Sequence, residues 1–468
     1  MAIRNIKDPI HPDLQIPREL EDVLSHPVFN RLRFIKQLGL KAYCGRFPSA
    51  NHTRYEHSIG TMHLAGKLCS CLERNTTDRD LKGSVTQYKE LIKLAALLHD
   101  IGHGPFSHTI DEVLKGEFNK PHEEVTEQII KNIMQDSIES VVDSSSIQEI
   151  CNMILSEHTE HPYLNDIISG ELDVDRMDYL IRDAYHTGVE YRFYPDSLIQ
   201  TMKVSKHPLV HAEELQKYQV DVDTFLKRIT DIEFRKNIST ALKNIEALST
   251  DHLSIVGETG VVLADTFLVT RKTMYQEVYY EVYSRIAERM MQESILSMLK
   301  NKKISRSLFT NVRKYVTLDD YELFALMKHA GGFAEEVVNR IKERKLYEVF
   351  LSGPPGKYKL IRDIVMGPKE KQYRSLRKLE QDLANRLKLN KEDILIDEIK
   401  VRAFKSERVY VELKGEYPKL LEEASPVART LANLAEINKV NVYINGEKIK
   451  SRREQIRSKA EQLLEGTL

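Results

Sequence analysis

A histidine and an aspartate stand side by side at His99-Asp100, and two more histidines follow closely at His103 and His108. Imidazole nitrogens and carboxylate oxygens in one cluster hold divalent cations and leave positions open for water and substrate. The adjacent pair alone is a weak signal. It gains weight from Arg54-Tyr-Glu-His57-Ser-Ile-Gly60 upstream and from Asp173-Val-Asp175-Arg176-Met-Asp178-Tyr179-Leu-Ile-Arg182-Asp183 downstream. His57, His99, Asp100 and Asp175 then make a set of two imidazoles and two carboxylates. Such a set accepts Fe, Mn, Zn, Ni or Mg without distinguishing among them. A structural zinc would favour thiolates, and Cys44, Cys69, Cys71 and Cys151 contain no CxxC pair.

These residues need helices to present them. Leu91, Leu94, Ala95 and Leu98 follow the i, i+3, i+4, i+7 stripe of a core-facing helix that ends at His99-Asp100, with Gly102 as its expected C-cap. Arg54 and His57 share a helix face by i, i+3 spacing. On a wheel from Val174, Met177, Ile181 and Ala184 fall at about 300°, 340° and 280°, while Asp175, Tyr179 and Asp183 fall at about 100°, 140° and 180°. One face packs inward, and the other offers carboxylate, phenol and carboxylate in a row. Taken alone, that face reads as a solvated acidic surface.

The chain has 468 residues, with 69 Lys+Arg against 70 Asp+Glu. This balance removes any whole-chain argument for a nucleic-acid or anionic-membrane binder. With 20 Gly and 15 Pro, turn-formers are scarce, which favours long helices over a many-stranded fold. Helical stripes are expected over 122–135, 146–157, 264–300 and 320–345. The breaker cluster Leu351-Ser-Gly-Pro-Pro-Gly356 marks a boundary, beyond which 25 Lys+Arg face 18 Asp+Glu over 355–468. In that part 369–388 and 426–436 read as helix, and Ile394–Val401 and Arg408–Leu413 as strands. Val440–Ile444 reads as a strand entering a hairpin turn at Asn445-Gly446. The expected architecture is mainly α: a helical body over 1–354 (core 50–195, extra helices 205–350) and a small α+β C-terminal lobe over 355–468. No stretch reaches the ~18 apolar residues of a membrane span, no signal peptide is evident, and the cysteine usage points to a reduced, cytoplasmic setting.

The order H…HD…D, carried by RYEHSIG, HDIGHGPFSH and DVDRMDYLIRD, resembles the HD-domain metal-dependent phosphohydrolases. It is most similar to the deoxynucleoside-triphosphate (dNTP) triphosphohydrolases, including the SAM-and-HD-domain enzymes. The likeness covers about 1–195, with Lys7-Asp-Pro-Ile-His11 and Arg31-Leu-Arg-Phe-Ile-Lys-Gln37-Leu38-Gly39, and resumes at Arg271–Tyr279. The resemblance implies His57, His99, Asp100 and Asp175 as metal ligands. It implies His108 with its carboxylate partner Asp111 as catalytic, and His103 and His122 beside the phosphates. It also implies Gln37, Leu38, Tyr179, Tyr279 and Asp183 around the deoxyribose, and Arg54, Arg176 and Arg271, with Tyr275, toward the phosphates. Departures are Arg176 for a usual Lys, Tyr275 for a frequent His, Asp265 for a frequent Glu, and Glu281-Val282 for a His-Lys pair. Segment 205–262 has no clear counterpart.

The implied reaction is attack of a metal-activated hydroxide on the α-phosphate, giving deoxynucleoside and inorganic triphosphate. His108 would donate the proton, and Mg2+ on the substrate phosphates is a possible addition. A homo-oligomer, dimer or tetramer, is implied as well. At the family's guanine-reading effector site Arg33 is kept, but Ser25 and Asn30 replace an Asp and a Gln, which argues against nucleotide activation of that kind. Two rival readings stand beside this one: another HD reaction, such as a 5′-nucleotidase or phosphodiesterase, and a nucleic-acid-binding regulator with a vestigial site.

Overall fold

The computed structural model describes residues 3–190, 193–208, 249–367, 369–401, 409–416, 418–433 and 437–466. Helices dominate. Helix α1 (Arg54–Asn75) starts in a capping box, in which Glu56 accepts from the Thr53 amide. Helix α2 (Arg79–Leu98) is capped by Asp78, whose carboxylate accepts from the Asp80 and Leu81 amides. Its last turns, Leu94 to Leu98, are buried on every side. An all-apolar helix end is a core element, and it delivers His99-Asp100 straight out of the core. Helix α3 (His108–Phe118), helix α4 (His122–Asn132), Ile147–Leu155 and Pro162–Ser169 follow. Helix α5 (Val174–Thr187) is capped by Asp173 and stops at Gly188 with φ 73°. It packs across α1, which also packs along α2, so α1 joins the three chemically distinctive segments.

Several expectations change. Gly102 is not a left-handed C-cap: a Cβ there would lie 2.2 Å from the His122 carbonyl oxygen and 2.4 Å from Thr126 Oγ1, so close approach is what requires glycine. The 264–300 stripe divides into Gly257–Met274, a π-helical turn Tyr275–Tyr279, and helix α6 (Val282–Lys300), which Glu281 caps by accepting from Ser284 N at 2.8 Å. The 320–345 stripe divides at Gly331, φ 67°, into helix α7 (Asp320–Ala330) and Gly332–Glu343. Asn445-Gly446 makes no hairpin. The strand before it ends there and a short helix, Gly446–Ile449, begins, because Asn445 is drawn to Asp393, donating from N at 2.9 Å and Nδ2 at 3.2 Å.

The sheets are small. Strands β1 (Ile3–Asn5) and β2 (Gln15–Pro17) pair antiparallel. Strands β3 (Met202–Pro208) and β4 (Ser249–Val256) form an antiparallel pair, so their edges bracket segment 209–248, which lies outside the described residues. Strand β5 (Glu348–Gly353) lies on one side of the last strand, β9 (Ile437–Ile444), and β6 (Ile394–Val401) on the other, both antiparallel. Between them in sequence, β7 (Tyr410–Glu412) runs parallel to β4, and β8 (Lys419–Leu420) pairs with β7. Arg408 and 434–436, expected in a strand and a helix, lie outside the described residues. One face of the β5–β9–β6 sheet packs with Lys369–Leu387 and Arg453–Glu465 in a second core around Leu383, Ile396, Val442 and Leu464. On its other face, Leu395 and Tyr443 join the main core.

Candidate metal centre and substrate cleft

Helices α1 and α5 and the end of α2 converge on four side chains. His57 Nε2 lies 3.0 Å from Asp175 Oδ1 and 3.4 Å from Asp100 Oδ2; His99 Nε2 lies 3.3 Å from Asp175 Oδ1 and 3.4 Å from Asp100 Oδ1. Both Nε2 atoms are buried, and neither makes a hydrogen bond. The other ring nitrogens are fixed from behind: His57 Nδ1 sits 2.8 Å from Asp178 Oδ2, and His99 Nδ1 is 2.8 Å from the Ala96 carbonyl oxygen. With Nδ1–H donating to those oxygens, each Nε2 faces the carboxylates, where either a proton or a cation can sit. This is how histidine ligands to a cation are oriented. Burial alone would lower the His57 pKa, yet Asp175, Asp178 and the charge of Asp100 carry it up to about 10. Burial works against the ionisation of Asp100, but Arg54, His99 and His103 hold its pKa well below the usual range. Two negative carboxylates around two orphaned nitrogens fit a divalent cation.

Behind this set stands a network that the motif reading left unassigned. Asp178 also accepts from His11 Nε2 at 2.7 Å and from Arg182 Nε at 2.8 Å, and Arg182 Nη1 reaches Asp8 Oδ2 at 2.8 Å. Asp178 and Arg182 are fully buried. A signal was available: on the same wheel Asp178 falls at about 40°, on the apolar half, with Arg182 one turn later.

The cation set floors a cleft of about 690 Å3. All the sequence-selected residues except His57 and Arg271 line it. His57 lies behind, fully buried. Arg271 donates to Glu171 Oε2 at 2.6 Å instead. Arg54 Nη1 meets Asp100 Oδ2 at 2.5 Å, while its Nη2 is buried without a partner. Arg176 is held by Asp173 and the Gly170 carbonyl.

Asp111 makes no hydrogen bond to His108, contrary to the expectation from their spacing. Its carboxylate accepts from the His122 amide at 3.1 Å and pairs with Lys115 Nζ at 2.7 Å, because the first turn of α4 and the i+4 lysine both offer it positive charge. His108 instead meets the His103 ring edge-on at 5.5 Å, and His103 stacks on His122 at 3.8 Å. Desolvation by the cleft walls and repulsion from Arg54 push the His108 pKa down. The ring itself is exposed to the cleft.

On the opposite wall Asp183 accepts from Tyr279 OH at 2.8 Å and pairs with His52 Nε2 at 2.7 Å. His52 was not among the residues selected from the sequence. Its neighbour Thr53 opens α1, so the capping box sets its position. Tyr179 and Tyr279 meet edge to face at 6.0 Å, and the π-helical turn brings Tyr275 and Tyr279 together at 5.0 Å. Such turns recur at functional sites. Gln37 is 6% exposed, and its Oε1 has no partner.

Comparison with known proteins agrees with this architecture. An HD domain matches residues 54–183 and an HD associated region matches 242–465, so the chain belongs to the HD-domain phosphohydrolase family. It is 29% identical over 455 residues to the uncharacterized protein MJ1154 of Methanocaldococcus jannaschii, covering 96% of this chain and 81% of that one. It is 35% identical over 191 residues to a deoxynucleoside triphosphate triphosphohydrolase SAMHD1 homolog of Dictyostelium discoideum, a match spanning 39% of this chain and 36% of that protein. A solved structure of a hypothetical protein from Aquifex aeolicus superposes with a TM-score of 0.68 at 26% identity, covering 98% of this chain and 99% of that one. Among the described residues, no helix is long and apolar enough to cross a membrane.

Proposed function

We propose that the cleft hydrolyses dNTPs to deoxynucleoside and inorganic triphosphate. The observation that carries this reading is a single one: a cation-binding set with orphaned Nε2 atoms shares a cleft with a wall of Leu38, Tyr179, Tyr279, Asp183 and Gln37. A divalent cation held by His57, His99, Asp100 and Asp175 supplies Lewis acidity and acidifies water. The chain does the rest. Arg54 Nη2 and Arg176 bind phosphate oxygens, and His103 and His122 offer ring nitrogens beside them. His108 gains its proton as the anionic triphosphate offsets Arg54, and passes it to the departing 5′-oxygen. Asp183 and Gln37 receive the 3′-hydroxyl, while Leu38 and the tyrosines leave a 2′-hydroxyl without room or partner.

The body over 1–354 carries this chemistry, and a dimer or tetramer is part of the proposal. The same cation set would serve a 5′-nucleotidase or phosphodiesterase. The withdrawal of Arg271 onto Glu171 favours that alternative, since fewer guanidiniums then face the phosphates. Incubation with each dNTP and rNTP under Mn2+, Fe2+, Ni2+, Zn2+ and Mg2+, with ion-exchange resolution of products, decides between them. Triphosphate with free deoxynucleoside supports the proposal; monophosphate products or equal use of rNTPs overturn it.

A further inference from the structure

Two loops form the cleft edge on the His108 side, and a single carboxylate outside the cleft ties them together. Asp320, the first residue of α7, is fully buried. Its Oδ1 accepts from Phe106 N at 2.6 Å and its Oδ2 from Lys36 N at 3.0 Å. Lys36 directly precedes Gln37 and Leu38, and Phe106 lies between His103 and His108. Each amide therefore belongs to a segment that presents cleft residues.

The second segment is strained. Phe106 has φ 54°, and Ser107 has φ 50° and ψ −112°. Non-glycine residues in such conformations are strained and persist only where the surroundings over-determine them. Here they are over-determined. Ser107 Oγ donates to the Lys36 carbonyl at 2.8 Å and accepts from Arg54 Nε at 2.9 Å. A Cβ on Gly39 would lie 2.9 Å from the Phe106 carbonyl oxygen, so the loops approach as closely as glycine permits. A buried carboxylate whose hydrogen bonds all come from backbone amides is costly, and burial pushes its pKa up to about 7. An apolar side chain would fill the space at less cost but could not hold two amides.

We propose that Asp320 is a positioning residue, which clamps the Lys36 and Phe106 segments to each other so that His108 keeps a fixed place relative to Gln37 and Leu38 on this edge of the cleft. This rests on the cleft being the active site. The test uses the full chain loaded with Mn2+, comparing Asp320→Asn with wild type. Asparagine keeps the shape but turns one acceptor into a donor facing an N–H. Amide exchange by mass spectrometry should rise in peptides covering 31–40 and 100–112 together, by about tenfold or more, and stay unchanged across 170–185. Bound Mn2+ should remain stoichiometric. With dATP, kcat should fall by about 10²-fold, the usual effect of a small misplacement, and the dATP/ATP preference should narrow. Asp320→Glu, which keeps both acceptors, should recover part of each effect. Ser107→Ala cuts the other tie between the same loops, so it should raise exchange in the same two peptides even if Asp320→Asn fails to fold. Wild-type exchange in both peptides, or raised exchange with unchanged kcat, overturns the proposal. If wild type cleaves no dNTP, the exchange and metal measurements still decide the clamp, so the two readings fail separately.

Discussion

Asp178 is the residue whose removal tests the cation centre most severely without touching a ligand. Its carboxylate meets His57 Nδ1 at 2.8 Å, His11 Nε2 at 2.7 Å, and Arg182 Nε and Nη2 at 2.8 and 3.0 Å. Asp178→Ala frees the His57 ring to rotate or change tautomer. Loss of such a support lowers metal affinity by about 10- to 100-fold, or about 1.4–2.7 kcal/mol. A second effect falls on stability. Removing one partner of a buried ion pair costs about 3–5 kcal/mol. Asp8 still holds Arg182 Nη1 at 2.8 Å, so the lower end of that range is expected. Mn2+ affinity by chelator competition and urea unfolding of the metal-free protein separate the two effects. Gly60→Ala provides an independent route to the same perturbation: its Cβ would lie 2.0 Å from Asp178 Oδ1 and 2.5 Å from Arg182 Nη2, which forces the pair away from His57. Unchanged Mn2+ affinity in both variants would refute the claim that Asp178 orients a metal-binding histidine.

The remaining predictions address the chemistry. Replacing His99 and Asp100 together by Ala should abolish bound metal and activity while far-UV circular dichroism stays near wild type; full metal content by elemental analysis would remove the site. His108→Ala should keep its metal and lose about 10²–10⁴-fold in kcat, whereas a loss confined to KM would assign it to binding. Wild type should prefer dNTPs over rNTPs by about 10- to 200-fold, from about 1.4–3 kcal/mol of exclusion, and Leu38→Gly should narrow that gap in competition assays. Asp320, raised to about 7 by burial, binds its proton more tightly folded than unfolded, so its contribution to stability falls as pH rises from about 4 to 7. Urea unfolding should show that decline, up to about 4 kcal/mol, in wild type and lose it in Asp320→Asn; parallel curves would contradict the assignment.

Much of the centre was legible from residue order, because it depends on local periodicity. The wheel of 174–184 puts Asp175, Tyr179 and Asp183 on one face, and an apolar helix ending at His99-Asp100 must release both side chains at the core's edge. Those readings needed only the helical repeat. The partner of Asp111 was not legible: i, i+3 spacing permits a bond to His108, but His122 arrives from another helix and takes the carboxylate. Nor was the break after Tyr279, since a hydrophobic stripe runs through a π-helical turn without changing its residue types.

The sequence by itself determined the helical class and the apolar faces, and it put forward candidate cation-binding side chains through residue type and the family resemblance. The class and the faces follow from residue type and a repeat of 3.6. Only the tertiary structure decided which groups stand behind those side chains. Asp178 reaches His11 across 167 residues, Asp183 reaches His52 across 131, and Asp320 reaches Phe106 across 214. Contacts at such separations leave no periodic trace, because they are set by where packed helices cross. A buried carboxylate finds its partner through that crossing, and its position in the chain carries no mark of it.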